Sequence, residues 1–230
     1  PHKKVIVARK GIYTQPVTIV SKDYKLLQHR DIINMVRNEL RGFKYSESIE
    51  FGIKRWGYYY GTMFYTVEFE NSIIQVNDYD FIPGITVINS VDTTVRLAIL
   101  PRVTVTSCLN ILANPVEGTI MRKHVGNIIQ FIEKNLPDAI EACINYSIKN
   151  TAMLWDKDVV LDMNEVRDIL SDVFPQKYIK EITQSNISTL DELMQILTAL
   201  NTYDNNRNIQ RKYDSMKAIV EVAHALRGEE

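Results

Sequence analysis

Two stretches of this 230-residue chain gather side chains that can do recognisable chemistry. The first is Lys54-Arg55-Trp56-Gly57-Tyr58-Tyr59-Tyr60, where cations and rings interleave. Single-stranded nucleic acid is held by cations on its phosphates and by aromatic faces on its bases, each stacked base contributing roughly 1–3 kcal/mol. In that chemistry Arg55 neutralises a phosphate, and Trp56 and Tyr58 stack. Tyr59, Tyr60 and Phe64 are also good strand formers that pack across a sheet, and that account stands beside the first. An Arg-Trp pair at a turn has less structural reason to be there.

The second stretch is Arg122-Lys123-His124, just ahead of the longest amphipathic pattern in the chain. Donors close to the free N–H groups of a helix start suit a phosphate. A solvated basic turn is the plainer account. Arg96 and Arg102 flank or interrupt the apolar run 95–105 and are expected to line the same groove. Lys3, Lys4, Arg9 and Lys10 add charge near the N-terminus, where a mobile charged end is common.

Other chemistries find little support. There is no Walker-type glycine loop, no dinucleotide-binding glycine pattern and no serine in a nucleophile elbow. His2, His29, His124 and His224 are scattered, and neither Cys108 nor Cys143 has a Cys or His partner at metal-ligand spacing. No catalytic residue, metal site or cofactor is therefore expected. Asp78 and Asp80 fit a polar turn. With Asp92 they are the only loop carboxylates near enough for a metal-dependent nuclease, which ranks last. Both cysteines sit in apolar contexts and read as free buried thiols of a reducing compartment. No apolar run is long enough to cross a bilayer. The start, Pro1-His2-Lys3-Lys4, has neither an initiator Met nor a signal-peptide layout, so a trimmed end with further residues upstream is expected.

Net charge is −1, but it is unevenly spread. Residues 1–125 carry 16 Lys and Arg against 11 Asp and Glu, and residues 126–230 carry 11 against 17. A basic half joined to an acidic half suits a polyanion-binding body with an acidic helical flank. It equally suits self-association, the positive half of one copy meeting the negative half of the next.

The elements that must position these groups follow from periodicity. Residues 4–8 and 16–20 read as strands, and 29–41 as a helix ended by Gly42. Residues 44–54 and 58–70 form a β-hairpin with Arg55-Trp56-Gly57 near its tip. Along 58–70 both faces carry aromatics, so the strand is either covered twice or shows one face to a ligand. Residues 72–76 read as a strand, with a polar turn at 77–80 closed by Pro83-Gly84. Residues 85–88 and 95–105 pair as strands, and Pro101 argues for an edge position or a bulge. Residues 106–112 read as a short helix. From Val125 the stripe Ile128, Ile129, Ile132, Leu136, Ile140 and Cys143 is helical, with Pro137 predicting a kink or a break. Helices follow at 164–173, 175–183, 190–200 and 209–226, the third opened by a capping box at 188–191. The expected fold is α+β: a mixed or antiparallel sheet with a β-hairpin, packed on helices, then an all-helical C-terminal portion. The expected division is a core over 1–150 and a helical subdomain over 151–230.

Read in order, several short segments resemble one family. They are Tyr24-Lys25-Leu26-Leu27-Gln28-His29, then Asn89-Ser90-Val91-Asp92 before Val95-Arg96. Pro101-Arg102-Val103 with Val105, Cys108 and Asn110-Ile111-Leu112 come next, then Arg122-Lys123-His124-Val125-Gly126-Asn127. Together they are similar to the phage/plasmid-like family known as domain of unknown function 932. Leu200-Asn201-Thr202-Tyr203-Asp204-Asn205 is similar to its closing motif of alternating aromatic and acidic residues. Members often continue Asn-Ser with Asp-Gly or His-Asp-Gly, where this chain has Val91-Asp92-Thr93. The resemblance implies a mobile-element origin and a cytoplasmic setting in a host cell. In outline the chain is also similar to single-strand annealing proteins, an analogy of fold. The leading expectation is a non-enzymatic, oligomeric protein that binds and anneals single-stranded nucleic acid, DNA in the first instance. Arg55, Trp56, Tyr58, Arg96, Arg102, Arg122 and Lys123 are its expected contacts. The alternative is a protein-interaction module, either a virus-encoded inhibitor of a host complex or a virion structural subunit, with the aromatic hairpin as its hot spot.

Overall fold

Alternation of side chains along residues 62–69 fixes the centre of the fold, because both of its faces carry aromatic rings. In the computed structural model, which describes residues 3–10, 12–52, 54–55, 59–107, 111–113, 119–204 and 209–228, this segment is strand β6. The N-terminal part holds β1 (Lys3–Lys10), β2 (Tyr13–Ser21), α1 (His29–Glu39), β3 (Tyr45–Phe51), β4 (Lys54–Arg55), β5 (Tyr59–Tyr60) and β6 (Thr62–Phe69). Next come β7 (Ile74–Val76), β8 (Tyr79–Ser90), β9 (Leu97–Val105), β10 (Ile111–Ala113) and β11 (Ile120–Arg122). Five helices close the chain: α2 (Ile128–Leu154), α3 (Met163–Val173), α4 (Gln176–Gln184), α5 (Leu190–Tyr203) and α6 (Ile209–Leu226).

The class is α+β, with a mostly antiparallel sheet. Seven strands form that sheet in the order β10-β9-β8-β6-β3, with β11 also paired to β9 and β7 to β8. The ribbon β1-β2 and the short pair β4-β5 stand as separate two-stranded sheets. Strands β3 and β6 make the expected hairpin, in register from Tyr45↔Phe69 to Phe51↔Met63. On β6, Met63, Tyr65, Val67 and Phe69 are buried on one face and Phe64 and Thr66 on the other, so the strand is covered twice.

Two compact units divide the chain: Pro1–Asn71 with Ile85–Pro101 and Pro115–Ile144, and Ser72–Gly84 with Arg102–Asn114 and Asn145–Glu230. Each draws on three stretches, so no single cut in the sequence separates them. The first unit's core combines Ile32, Ile33 and Val36 of α1 with the inward face of the sheet and with Ile128, Ile132, Leu136 and Ile140 of α2. Cys143 lies in the same core, and burial pushes its thiol up to about 12. Arg37 of α1 ion-pairs with Glu47 of β3, and that carboxylate also accepts the Tyr65 hydroxyl at 2.6 Å.

In the second unit Phe81 meets Trp155 edge to face, ring centroids 4.8 Å apart. Asn77 holds the Trp155 carbonyl at 2.8 Å, and Arg227 reaches Asp156 at 2.6 Å. Tyr178 stacks on Phe174 and donates to the Leu200 carbonyl at 3.0 Å, tying α4 to α5.

Several local expectations need correction. Pro101 is not on an edge strand: β9 has β8 on one side and both β10 and β11 on the other. Strand β11 pairs Leu97 to Ile99, and β10 pairs Arg102 to Thr104, so Pro101 lies between the described pairings of its two partners. Ile111 and Leu112 belong to β10 and not to a helix, because the free side of β9 offers them a ladder. Pro83-Gly84 does not close the turn, and β8 runs through it as one twelve-residue strand. Helix α2 passes through Pro137 unbroken, held by the buried apolar stripe on either side of the ring. The capping box sits one residue later than expected: Thr189 is the N-cap and Glu192 accepts the Thr189 and Ser188 N–H groups. Among the described residues no helix is long and apolar enough to cross a membrane.

The packing of α2 can be checked by truncation. Ile132→Ala is expected to lower unfolding stability by about 2–5 kcal/mol, since Ile132 is fully buried. Glu133→Ala, one residue on and exposed, is expected to change it by no more than about 0.5 kcal/mol. Urea unfolding followed by circular dichroism measures both.

Candidate functional site

Three segments far apart in the sequence meet in the first unit. Each is short and polar, and each abuts an apolar element that fixes its position: 24–29 precedes α1, 89–96 joins β8 to β9, and 122–127 joins β11 to α2. Tyr24 forms an antiparallel bridge with Val125, and the Lys25 N–H donates to the His124 carbonyl at 2.9 Å. Asn89 donates through Nδ2 to the Leu27 carbonyl at 3.1 Å and lies 3.0 Å from Nδ1 of His29.

His124 and Tyr24 form the centre of this arrangement. The Tyr24 hydroxyl is 2.9 Å from His124 Nδ1 and donates to the Ser90 carbonyl at 3.4 Å. Those two contacts fit together when Nδ1 of His124 carries the proton, so that the imidazole donates and the phenol passes its own proton on. His124 is only 4% exposed, and its Nε2 has no hydrogen-bond partner among the described residues. Burial, with the nearby His29 adding to it, lowers the His124 pKa and keeps the ring neutral. Burial, with the Asp92 charge adding to it, raises Tyr24 to about 12.

The loop from Ser90 to Arg96 is built with equal detail. Ser90 Oγ donates to the Val95 carbonyl at 3.1 Å, and Asp92 Oδ1 accepts from Thr94 Oγ1 at 2.6 Å and Thr94 N at 3.1 Å. Thr62 on β6 meets Thr94 at 3.0 Å. The Asp92 carboxylate lies directly over Gly61, where an added Cβ would come within 1.9 Å of it. Thr93 has φ 69, a left-handed backbone that a β-branched residue rarely adopts. Strain of this kind persists only where neighbours over-determine it, and it clusters where ligands are held.

A cleft of about 330 Å³ opens between these segments, lined by Tyr24, Thr93, Thr94, Arg96, Lys123 and His124, with the backbone neighbours Val95 and Val125. Arg96 and Lys123 are exposed, and neither is paired with a carboxylate among the described residues. Across the Tyr24–Val125 bridge a second cleft, of about 450 Å³, is lined by Lys25, Leu26 and Gly126 and by the first residues of α2. One wall therefore offers cations, hydroxyls and a half-buried ring together. That set suits a phosphorylated ligand.

The structure brings Arg96 and Lys123 together and treats the other expected contacts differently. Arg122, on β11, places its guanidinium 3.8 Å from the centre of the Phe131 ring. Arg102 lies on β9 in the second unit and is 8% exposed, so little of it is left for an external phosphate. Arg55 is in β4, but its side chain lies outside the described residues, as do Trp56 and Tyr58 altogether. His124 belongs to the basic cluster read from sequence as a phosphate site, whereas Tyr24, Lys25, Thr93 and Thr94 were not singled out as contacts. Tyr24 and Lys25 fall in a segment that carries the family resemblance, and Thr93 and Thr94 lie between two such segments. Among the described residues no group of three or more His, Cys, Asp or Glu could hold a metal ion.

Two measurements probe the centre of the site. Tyr24→Phe is expected to cost about 1–3 kcal/mol of unfolding stability, because it leaves His124 Nδ1 buried without a partner. For His124 the sign follows from its depressed folded-state pKa. Its contribution is fully present above 6.5 and is lost as pH falls below 6.5 toward the folded-state value. Urea midpoints taken across that window are expected to fall with pH for the wild type and less steeply for His124→Asn.

No protein-family model, no curated protein and no solved structure matches the chain.

Proposed function

We propose that this chain binds single-stranded nucleic acid, DNA in the first instance, as a non-enzymatic annealing or strand-protecting protein of a virus or mobile element. The observation that carries the reading is the cleft where Arg96 and Lys123 meet although 27 residues separate them in sequence. Two cations bordering one cleft, neither paired with a carboxylate among the described residues, with Lys25 lining the neighbouring cleft, offer a short track for successive phosphates. The hydroxyls of Thr93 and Thr94 supply neutral donors beside them, and the Tyr24 ring offers a face to a base. The first unit, which holds all of this, carries 16 Lys and Arg against 12 Asp and Glu, while the second carries 11 against 16. Charge asymmetry follows the structural units, and the cleft lies in the basic one. Trp56 and Tyr58, which lie outside the described residues, remain part of the proposal as additional stacking rings.

Binding of this kind releases counterions and weakens steeply with salt. Filter binding of a labelled oligonucleotide is expected to show retention at low salt and loss at high salt. Arg96→Ala and Lys123→Ala are each expected to weaken binding several-fold, and each to reduce the slope of log affinity against log salt by about 0.7. Retention that is absent at low salt, or unchanged in the double variant, would sink the reading.

A further inference from the structure

The β1-β2 ribbon is built to be covered. Its strands are long, yet among the described residues they pair only with each other. A lone two-stranded ribbon is marginal in water. Along β1, Lys3, Val5, Val7 and Arg9 share one face, and Val5 lies opposite Ile19 of β2. Those aliphatic side chains are exposed: Val5 57%, Val7 51% and Ile19 65%. Exposed β-branched aliphatics on an ordered sheet face mark a surface that excludes water in another state. The same ribbon is strongly basic. Residues 1–22 contain five Lys and Arg and not one Asp or Glu.

The second unit carries a surface of matching character. Residues 156–172 hold six Asp and Glu against two Lys and Arg. Within this acidic stretch Val160 is 79% exposed. It bridges Thr189 in the pattern where the hydrogen bonds are made by its neighbours, Leu161 N to Ser188 O at 2.9 Å and Leu190 N to Val159 O at 3.0 Å. The N–H and C=O of Val160 itself therefore point away from Thr189, to an open edge. Asp158 beside it is exposed.

We propose that the β1-β2 ribbon of one copy docks on the acidic 156–162 edge of a second copy, in a head-to-tail contact. Apolar Val5, Val7 and Ile19 cover Val160, and Lys3 and Arg9 face Asp158 and Asp162. Opposite charge selects the partner and the exposed aliphatics hold it. A contact made by two different surfaces is heterologous, and repeated head to tail it builds rings or filaments. The proposal rests on the ribbon and not on the cleft, so it and the nucleic-acid reading can fail separately.

The test is molar mass by light scattering on the whole chain, without nucleic acid, at low and high salt. Wild type is expected to exceed the 26.6 kDa monomer at low salt and to shrink as salt rises. A ribbon variant, Val5→Thr with Lys3→Glu, Lys4→Glu and Arg9→Glu, is expected to be monomeric with an unchanged melting temperature. Asp158→Lys with Val160→Thr is expected to be monomeric too. Mixed together, the two variants retain one intact surface each and are expected to associate above monomer mass. Monomeric wild type at low salt overturns the proposal, as does a mixture of folded variants that stays monomeric. If the ribbon variant fails to fold, the Asp158→Lys, Val160→Thr chain decides alone, and wild-type mass there overturns the contact. A ribbon variant that keeps its mass but loses oligonucleotide retention also overturns it, and marks the ribbon as a nucleic-acid arm.

Discussion

The pairing of Tyr24 with His124 and Val125 closes the space between three loops that have no secondary structure of their own. One side chain and one backbone bridge join segments a hundred residues apart. Asn89, held by Leu27 and His29, joins the third segment to them. Loop backbone is costly to order, and such a junction holds only because each loop leaves a rigid element: α1, the end of β8, or the start of α2. The cleft exists because those exits are fixed. Without the Tyr24 hydroxyl, the imidazole behind it is a buried polar group with nothing to bond. The site and the local stability are thus two consequences of one hydrogen bond.

Much of the architecture was legible because it rests on side-chain periodicity. The two-faced burial of β6, the α1 stripe Ile32, Ile33 and Val36, and the α2 stripe are all written in spacing. What was misread has a common cause. Proline and glycine speak about local backbone, while tertiary partners decide their outcome. Pro101 looks like an edge residue until β9 is seen to have β8 on one side and β10 and β11 on the other. Pro137 looks like a break until the buried residues on both sides of it are counted as one face. Ile111 and Leu112 look helical in isolation and become a strand because β9 has an unpaired side.

The site was legible in part. Arg96 and Lys123 stand out by charge, and their meeting in one cleft gives that signal spatial meaning. Arg102 shows its limit: the same residue type, equally conspicuous in sequence, is buried on β9. The pairing of Tyr24 with His124 carried no chemical signature, since one tyrosine and one histidine separated by a hundred positions form no motif, although His124 stood out within its basic cluster. Thr93 was invisible for a different reason. A left-handed backbone at a β-branched residue runs against propensity, so no propensity argument could find it.

Cys143 extends this account in a practical direction. Its thiol is enclosed by the helix-on-sheet core of the first unit and is held almost wholly protonated near neutral pH. Alkylating reagents need a thiolate that they can reach. The residue is consequently silent in the closed molecule and reactive only while α2 lifts from the strands beneath it. Its rate of labelling is a clock for that opening, already installed in the chain and readable without any added probe.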